Sequence, residues 1–154
     1  MTIKADLVPY SEEYQQAIHS WVDSEETYML VCRGKEFPPP ENLVKNWQRE
    51  GVSSYLLFSE NRPVAYGELW SRSSEMAMEI AHVIVDPSFR SEGFGAKMVD
   101  LLFKRGIGKP GIAKVVANLY SENPIALGCF MKTGFELVGT TTYTEGLRLV
   151  KMGY

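Results

Sequence analysis

Met76-Ala77-Met78-Glu79-Ile80-Ala81-His82-Val83-Ile84-Val85-Asp86-Pro87, followed shortly by Arg90-Ser91-Glu92-Gly93-Phe94-Gly95, is the stretch that decides the fold. The first part is an apolar run rich in β-branched residues and closed by proline, which reads as a strand. Beyond it Phe94, Met98, Leu101, Leu102 and Arg105 recur with the rhythm of one helix face. A strand that gives way to a helix across two glycines aims free backbone N–H groups and the positive end of the helix dipole at one point. Arg90 adds a fixed charge with forked donors, so the junction reads as a cradle for a pyrophosphate. Glycines alone also fit a tight turn that merely relieves crowding. No G-K-S/T follows, which excludes a P-loop, and G-F-G-A-K-M lacks the third small residue of a dinucleotide fingerprint.

Arg90-Ser91-Glu92-Gly93-Phe94-Gly95 after Val83-Ile84-Val85-Asp86-Pro87 resembles the acyl-CoA cradle of the GNAT superfamily of N-acetyltransferases, R/Q-x-x-G-x-G/A after a V-x-V-D-P strand end. A second signature of that family, N-x-x-A-x-x-x-Y-x-K-x-G-F, is matched by Asn123, Ala126, Phe130, Lys132, Gly134 and Phe135. The resemblance runs from about Ser54 to the end of the chain; the first part agrees in general layout only. It implies an α/β (α+β) GNAT fold, a mixed and mostly antiparallel sheet of about seven strands with about four helices. Two splayed strands would form the coenzyme A cleft. It also implies acetyl-CoA as co-substrate and a primary amine of a small molecule or peptide as acceptor, attacked directly. By the same resemblance the cofactor would be held by Val83, Ile84, Val85, Arg90, Ser91, Glu92, Gly93, Phe94, Gly95, Ala96, Asn123, Ala126, Phe130 and Lys132. Pantetheine amides would pair with the freed edge of the strand ending at Val85.

Composition agrees with one enzyme-sized domain over residues 1–154. A chain of 154 residues with 45% hydrophobic and 23% charged content buries a sizeable core without staples. A net charge of -3 argues against a nucleic-acid partner held by bulk electrostatics. No apolar run approaches a membrane span and the N-terminus has no leader pattern, so neither membrane nor export is expected and a cytoplasmic location is. Cys32 and Cys129 are too few for a disulfide framework, and no metal-ligand spacing surrounds them. Cys129 is conceivable as a nucleophile, but a small apolar residue on a partly buried helix is the better reading. His19 and His82 have no partner visible in the sequence. Apolar edge strands near the C-terminus would permit a homodimer.

The remaining elements are punctuated locally. Ile3 to Val8 is expected to be a strand, Ser11 an N-cap, and the following helix to run to about Trp21. F-P-P-P-E is expected to open a second helix, with Leu43, Val44 and Trp47 on its apolar face. Y-L-L-F, E-N-R-P and V-A-Y-G-E-L-W make a hairpin that leads through S-R-S-S-E into the strand before the cradle. K-V-V-A-N-L-Y is a strand, Asn123 caps a helix with Pro124 first, and Gly134 ends it. Phe135 to Tyr143 and Leu147 to Lys151 form a last hairpin across T-E-G.

Acetyl transfer to an amine requires a neutral amine, a stabilised oxyanion and a proton for the departing thiolate. Some GNAT enzymes carry a carboxylate base at the position of Glu79. Glu68 and Glu79 are equidistant from a turn centred between Ser73 and Ser74, so a symmetric hairpin sets the two catalytic candidates face to face. Two facing carboxylates disfavour joint ionisation, which raises the pKa of one; the alternative is that they point to solvent or that one pairs with Arg72. Phe130 departs from the family pattern, because tyrosine is usual there and phenylalanine has no proton to give. Tyr120 and Tyr143 are substitutes without positional support. Trp21, Tyr28, Phe37 and Trp47, with the acidic run Asp23 to Glu26, would suit the mouth of a cation site, or else a core stripe and a solvated loop.

Overall fold

Along the chain follow β1 (Asp6–Pro9), α1 (Gln15–Trp21), α2 (Glu25–Cys32), α3 (Leu43–Trp47), β2 (Val52–Ser59), β3 (Arg62–Arg72), β4 (Ala77–Val85), α4 (Phe94–Ile107), β5 (Lys114–Tyr120), α5 (Pro124–Lys132), β6 (Glu136–Thr141) and β7 (Gly146–Met152). The computed structural model describes residues 3–141 and 146–153. The strands form one sheet in the order β1-β2-β3-β4-β5-β7-β6. Every neighbouring pair is antiparallel except β4 and β5, which run parallel on either side of the α4 crossover. The mixed sheet expected from the family pattern is therefore present.

The sheet has a core on each face. The apolar stripe of α4, with Phe94, Met98, Val99, Leu102 and Phe103 buried, covers Leu69, Met78, Ile80, Val115 and Ala117. At about 1.5–3 kcal/mol per buried side chain, that stripe contributes on the order of 10 kcal/mol before chain entropy is subtracted. On the opposite face Ile18, Trp21, Tyr28, Val44 and Trp47 from the first three helices pack on Leu56, Tyr66 and Ile84.

Several boundaries differ from the sequence reading. β1 begins at Asp6 rather than Ile3. The first helix opens as a 3₁₀ turn, Glu12–Tyr14, and the Ser11 hydroxyl donates to Glu13 Oε1 at 3.3 Å instead of capping backbone. The prolines precede α3 instead of opening it, and Leu43 N–H reaches back to Pro40 O at 3.1 Å. α2 is a fifth helix where four were expected: the acidic run is not a loop but its N-terminus. Ser24 Oγ accepts from Thr27 N–H at 3.1 Å, Glu25 and Glu26 sit in the first turn, and Arg33 closes it in the left-handed conformation. Only Tyr28 of α2 is buried, so the helix carries too narrow an apolar stripe to announce itself by periodicity. Of the expected T-E-G turn, Thr144 and Glu145 fall outside the described residues, as does Tyr143, while Gly146 opens β7.

Candidate functional site

β4 and β5 stay together for three residue pairs only, Ala77–Lys114, Met78–Val115 and Glu79–Val116. β3 keeps its hold on β4 beyond that point, pairing Glu68 with Ala81 and Tyr66 with Ile84, so that His82 and Val83 stand opposite Gly67 alone. This is a β-bulge, and it reverses which face each residue takes. Before it Met78 and Ile80 pack toward α4; after it Val83 and Val85 do so, while Ile84 joins the opposite cluster. Asp86 N–H donates to Val64 O at 2.9 Å, so strand alternation turns the N–H and C=O of Val83 and Val85 away from β3 and into the gap left by β5. The gap opens into a cavity of about 690 Å³, walled by β4, the diverging end of β5, α2, α5 and the N-terminus of α4.

One end of this cavity is an array of unpaired amides. Gly93 precedes α4 with φ 92° and no side chain caps the helix. The first backward bond is Lys97 N–H to Gly93 O at 3.1 Å, which leaves the N–H groups of Phe94, Gly95 and Ala96 without helical partners. A Cβ on Gly95 would stand 3.0 Å from Cys129 Sγ, so the Cys129 side chain of α5 packs directly on the α4 backbone there. Burial raises the Cys129 thiol, against an opposing pull from Lys132, which makes it a poor nucleophile near neutrality. Asn123 Oδ1 accepts from Ala126 N–H at 3.2 Å and fixes the start of α5. Arg90 lines the cavity with one donor of each nitrogen already engaged: Nη2 with Trp21 O at 3.0 Å, Nη1 with Asp23 Oδ1 at 3.2 Å and Nε with Val85 O at 3.3 Å, which leaves the second N–H of Nη1 and of Nη2. It ties the end of α1 to the cradle turn.

The two carboxylates do not face each other. The connection from β3 to β4 contains a 3₁₀ turn, Ser73–Glu75, and a left-handed Met76, which centres it between Ser74 and Glu75. Glu79 consequently lies opposite Trp70, and Glu68 opposite Ala81. Neither points to solvent: Glu68 is 0% and Glu79 3% exposed. Glu79 Oε1 accepts from Arg72 Nε at 2.9 Å and Nη2 at 2.7 Å, while its Oε2 accepts no hydrogen bond among the described residues.

Glu68 has three donors, the Tyr66 hydroxyl, Trp70 Nε1 at 2.7 Å and His82 Nδ1 at 2.9 Å. A carboxylate accepts, so the network places a proton on Nδ1 of His82, and in the neutral ring the lone pair is then on Nε2. Burial, then the charge of Glu68, push the Tyr66 hydroxyl far above its usual range, which keeps it a donor. The same two causes push the Cys32 thiol up to about 12.

Glu79, Val83–Val85, Arg90, Ser91, Gly93–Ala96, Asn123, Ala126, Phe130 and Lys132 all line the cavity. Glu68 does not; it stands behind His82. Glu92 is exposed on the turn, outside the lining. Phe130 is 2% exposed and packs edge-on to Phe135 at 5.0 Å. Of the expected aromatic mouth, Trp21, Tyr28 and Trp47 belong to the core and Phe37 lies away from the cavity; Glu26 alone of the acidic run lines it. Sequence reasoning missed His82, and also Asn118, whose Oδ1 is buried in the cavity wall without a hydrogen-bond partner among the described residues. Gly67 within a strand pattern was the available sign of the bulge that turns His82 inward.

Similar proteins fit this geometry. The alpha/beta-tubulin-N-acetyltransferase 9 of Mus musculus is 25% identical over 162 residues, covering 95% of this chain and 67% of its own. A solved aminoglycoside acetyltransferase AAC(6')-Ib with coenzyme A and kanamycin superposes with a TM-score of 0.80 at 18% identity, over 97% of this chain and 95% of that one. A spermidine N-acetyltransferase from Vibrio cholerae with CoA and spermine gives 0.80 at 13% identity, over 97% and 95%. The acetyltransferase (GNAT) family model matches residues 11–135, and the chain belongs to that family of acyltransferases.

Proposed function

We propose that this protein transfers the acetyl group of acetyl-CoA to a primary amine by direct attack of the amine on the thioester. The observation that carries the reading is the single cavity that joins the unpaired amides before α4 to the parted edge of β4 and, at its far end, to Glu79. The pyrophosphate is held by the N–H groups of Phe94, Gly95 and Ala96, where Gly93 and Gly95 keep the approach open. The pantetheine amides pair with Val83 and Val85 as another strand would. The thioester then lies where β4 and β5 diverge, between Glu79 and Asn118. Glu79 Oε2 and the unpartnered Asn118 Oδ1 suit an ammonium group, and Glu26 extends the negative lining. The raised Cys129 thiol supports direct attack over an acyl-enzyme. Relatives that act on aminoglycosides, spermidine and tubulin agree in taking amines.

A second reading rests on Phe130, which stands at the usual tyrosine position without a hydroxyl: an acyl-CoA-binding module with little turnover. Free-thiol release from acetyl-CoA separates the two. The protein is screened with amino acids, polyamines, aminoglycosides and short peptides. Acceptor-dependent thiol release supports the enzyme; tight coenzyme A binding with no release from any acceptor refutes it in favour of the module.

A further inference from the structure

His82 occupies the bulge of β4 with φ 51°, a conformation that costs a non-glycine residue roughly 1–2 kcal/mol and that glycine would take freely. Its ring is held on three sides. Trp47 stacks on it at 4.2 Å with planes 25° apart, Trp70 meets it edge-on at 5.5 Å, and Glu68 binds Nδ1 at 2.9 Å. Glu68 is itself fully buried and oriented by Tyr66 and Trp70. His82 lines the cavity with its side chain 11% exposed, and its Nε2 has no hydrogen-bond partner among the described residues. A side chain held so firmly in a strained backbone, with one basic atom left open to a cavity, is arranged for proton transfer.

We infer that His82 Nε2 is the base that deprotonates the acceptor amine, with Glu68 as the positioning residue that holds the ring and its tautomer. The inference rests on the acetyltransferase reading and assigns a residue to it. Nε2 takes one proton from R–NH₃⁺, and the freed nitrogen lone pair forms the C–N bond at the thioester carbonyl. The C–S bond then breaks with its electron pair on sulfur, and the second nitrogen proton passes to that sulfur to give the free thiol. The imidazolium returns its proton to solvent. Glu79, paired with Arg72, holds the ammonium and leaves proton removal to the imidazole; Glu26 of α2, Arg33 just beyond its end, Arg90 and Lys132 are the other charged groups lining this cavity.

The test uses His82→Gly, which relieves the backbone and leaves an imidazole-sized space between Trp47 and Trp70. Acetyl-CoA is assayed with spermine, kanamycin and a tetrapeptide bearing a free α-amine, and the best acceptor is carried forward. His82→Gly is expected to keep acetyl-CoA affinity by calorimetry, to lose about 10²–10⁴-fold in kcat, and to regain rate with added imidazoles in order of their basicity. Glu68→Gln lowers kcat less, and His82→Gln gives an unrescued loss in a side chain of similar size. A wild-type kcat in folded His82→Gly, or rescue that follows the size of the added imidazole and ignores its basicity, overturns the assignment while the acetyltransferase reading stands. Absence of thiol release from the wild-type protein with all three acceptors overturns that reading and the assignment with it.

Discussion

Gly93→Ala separates the anion cradle from the stability of the turn that builds it. Gly93 has φ 92°, where a Cβ costs roughly 1–2 kcal/mol, and the added methyl would lie 2.7 Å from Ile3 Cδ1, the movable end of a side chain. Strain therefore dominates, and a domain of this length should lose about 2–8 °C in Tm. Gly111 is the matched control. It has φ 79° with nothing within 4 Å of the built Cβ, so Gly111→Ala carries the same strain far from the cradle. Coenzyme A affinity is where the two diverge. Displacing one charge-assisted amide–phosphate contact costs about 1.5–3 kcal/mol, or tenfold to a hundredfold in Kd. Thermal unfolding and titration calorimetry on both variants read the two quantities independently. Similar Tm losses with a weaker Kd only in Gly93→Ala are expected. An unchanged Kd in Gly93→Ala, or an equal loss in Gly111→Ala, refutes the cradle.

Arg90→Ala should weaken coenzyme A binding more than Asp23→Ala, because Asp23 touches only the tether; equal effects would reduce Arg90 to a structural clamp, checked by the same calorimetry. Phe130→Tyr should raise kcat or shift the basic limb of its pH profile with little change in KM for acetyl-CoA if the thiolate lacks a protein acid, and an unaltered or lower kcat in a folded variant rejects that vacancy. Cys32 has its thiol raised from 9.0 to about 12 in the folded state, so the native protein holds a proton that the unfolded chain releases first. Its contribution is complete below pH 9, declines as pH rises through that window at about 1.4 kcal/mol per unit, and is absent above it. Urea unfolding across that range should show a shallower decline in Cys32→Ala than in wild type, and parallel curves would sink the argument.

Much of the fold is legible because its signals are local. Asn123 and Pro124 start α5, Gly93 starts α4 and Gly134 sits at φ 98°, each through interactions spanning a few residues. α2 escaped notice because one buried residue is too little pattern to read. The uncapped start of α4 at one end of the cavity was equally visible, since a helix N-terminus preceded by glycine is a property of consecutive residues.

The sequence by itself determined the order of the strands and of every helix but α2, the glycine-led start of α4, and with them the family. Only the tertiary structure decided which side chains meet in the cavity. A strand's side chains alternate with period two, so one extra residue in a turn or a bulge reassigns every later side chain to the other face. The turn through Met76 shifted the pairing by two residues, which kept Glu79 on the face of Glu68 but set it opposite Trp70, and the bulge at His82 brought an apparently solitary histidine onto Glu68 at the wall of the cleft. Register and bulge depend on pairing energies summed over β3 and β4 and on what α3 and α4 pack against them, which no short window of residues contains.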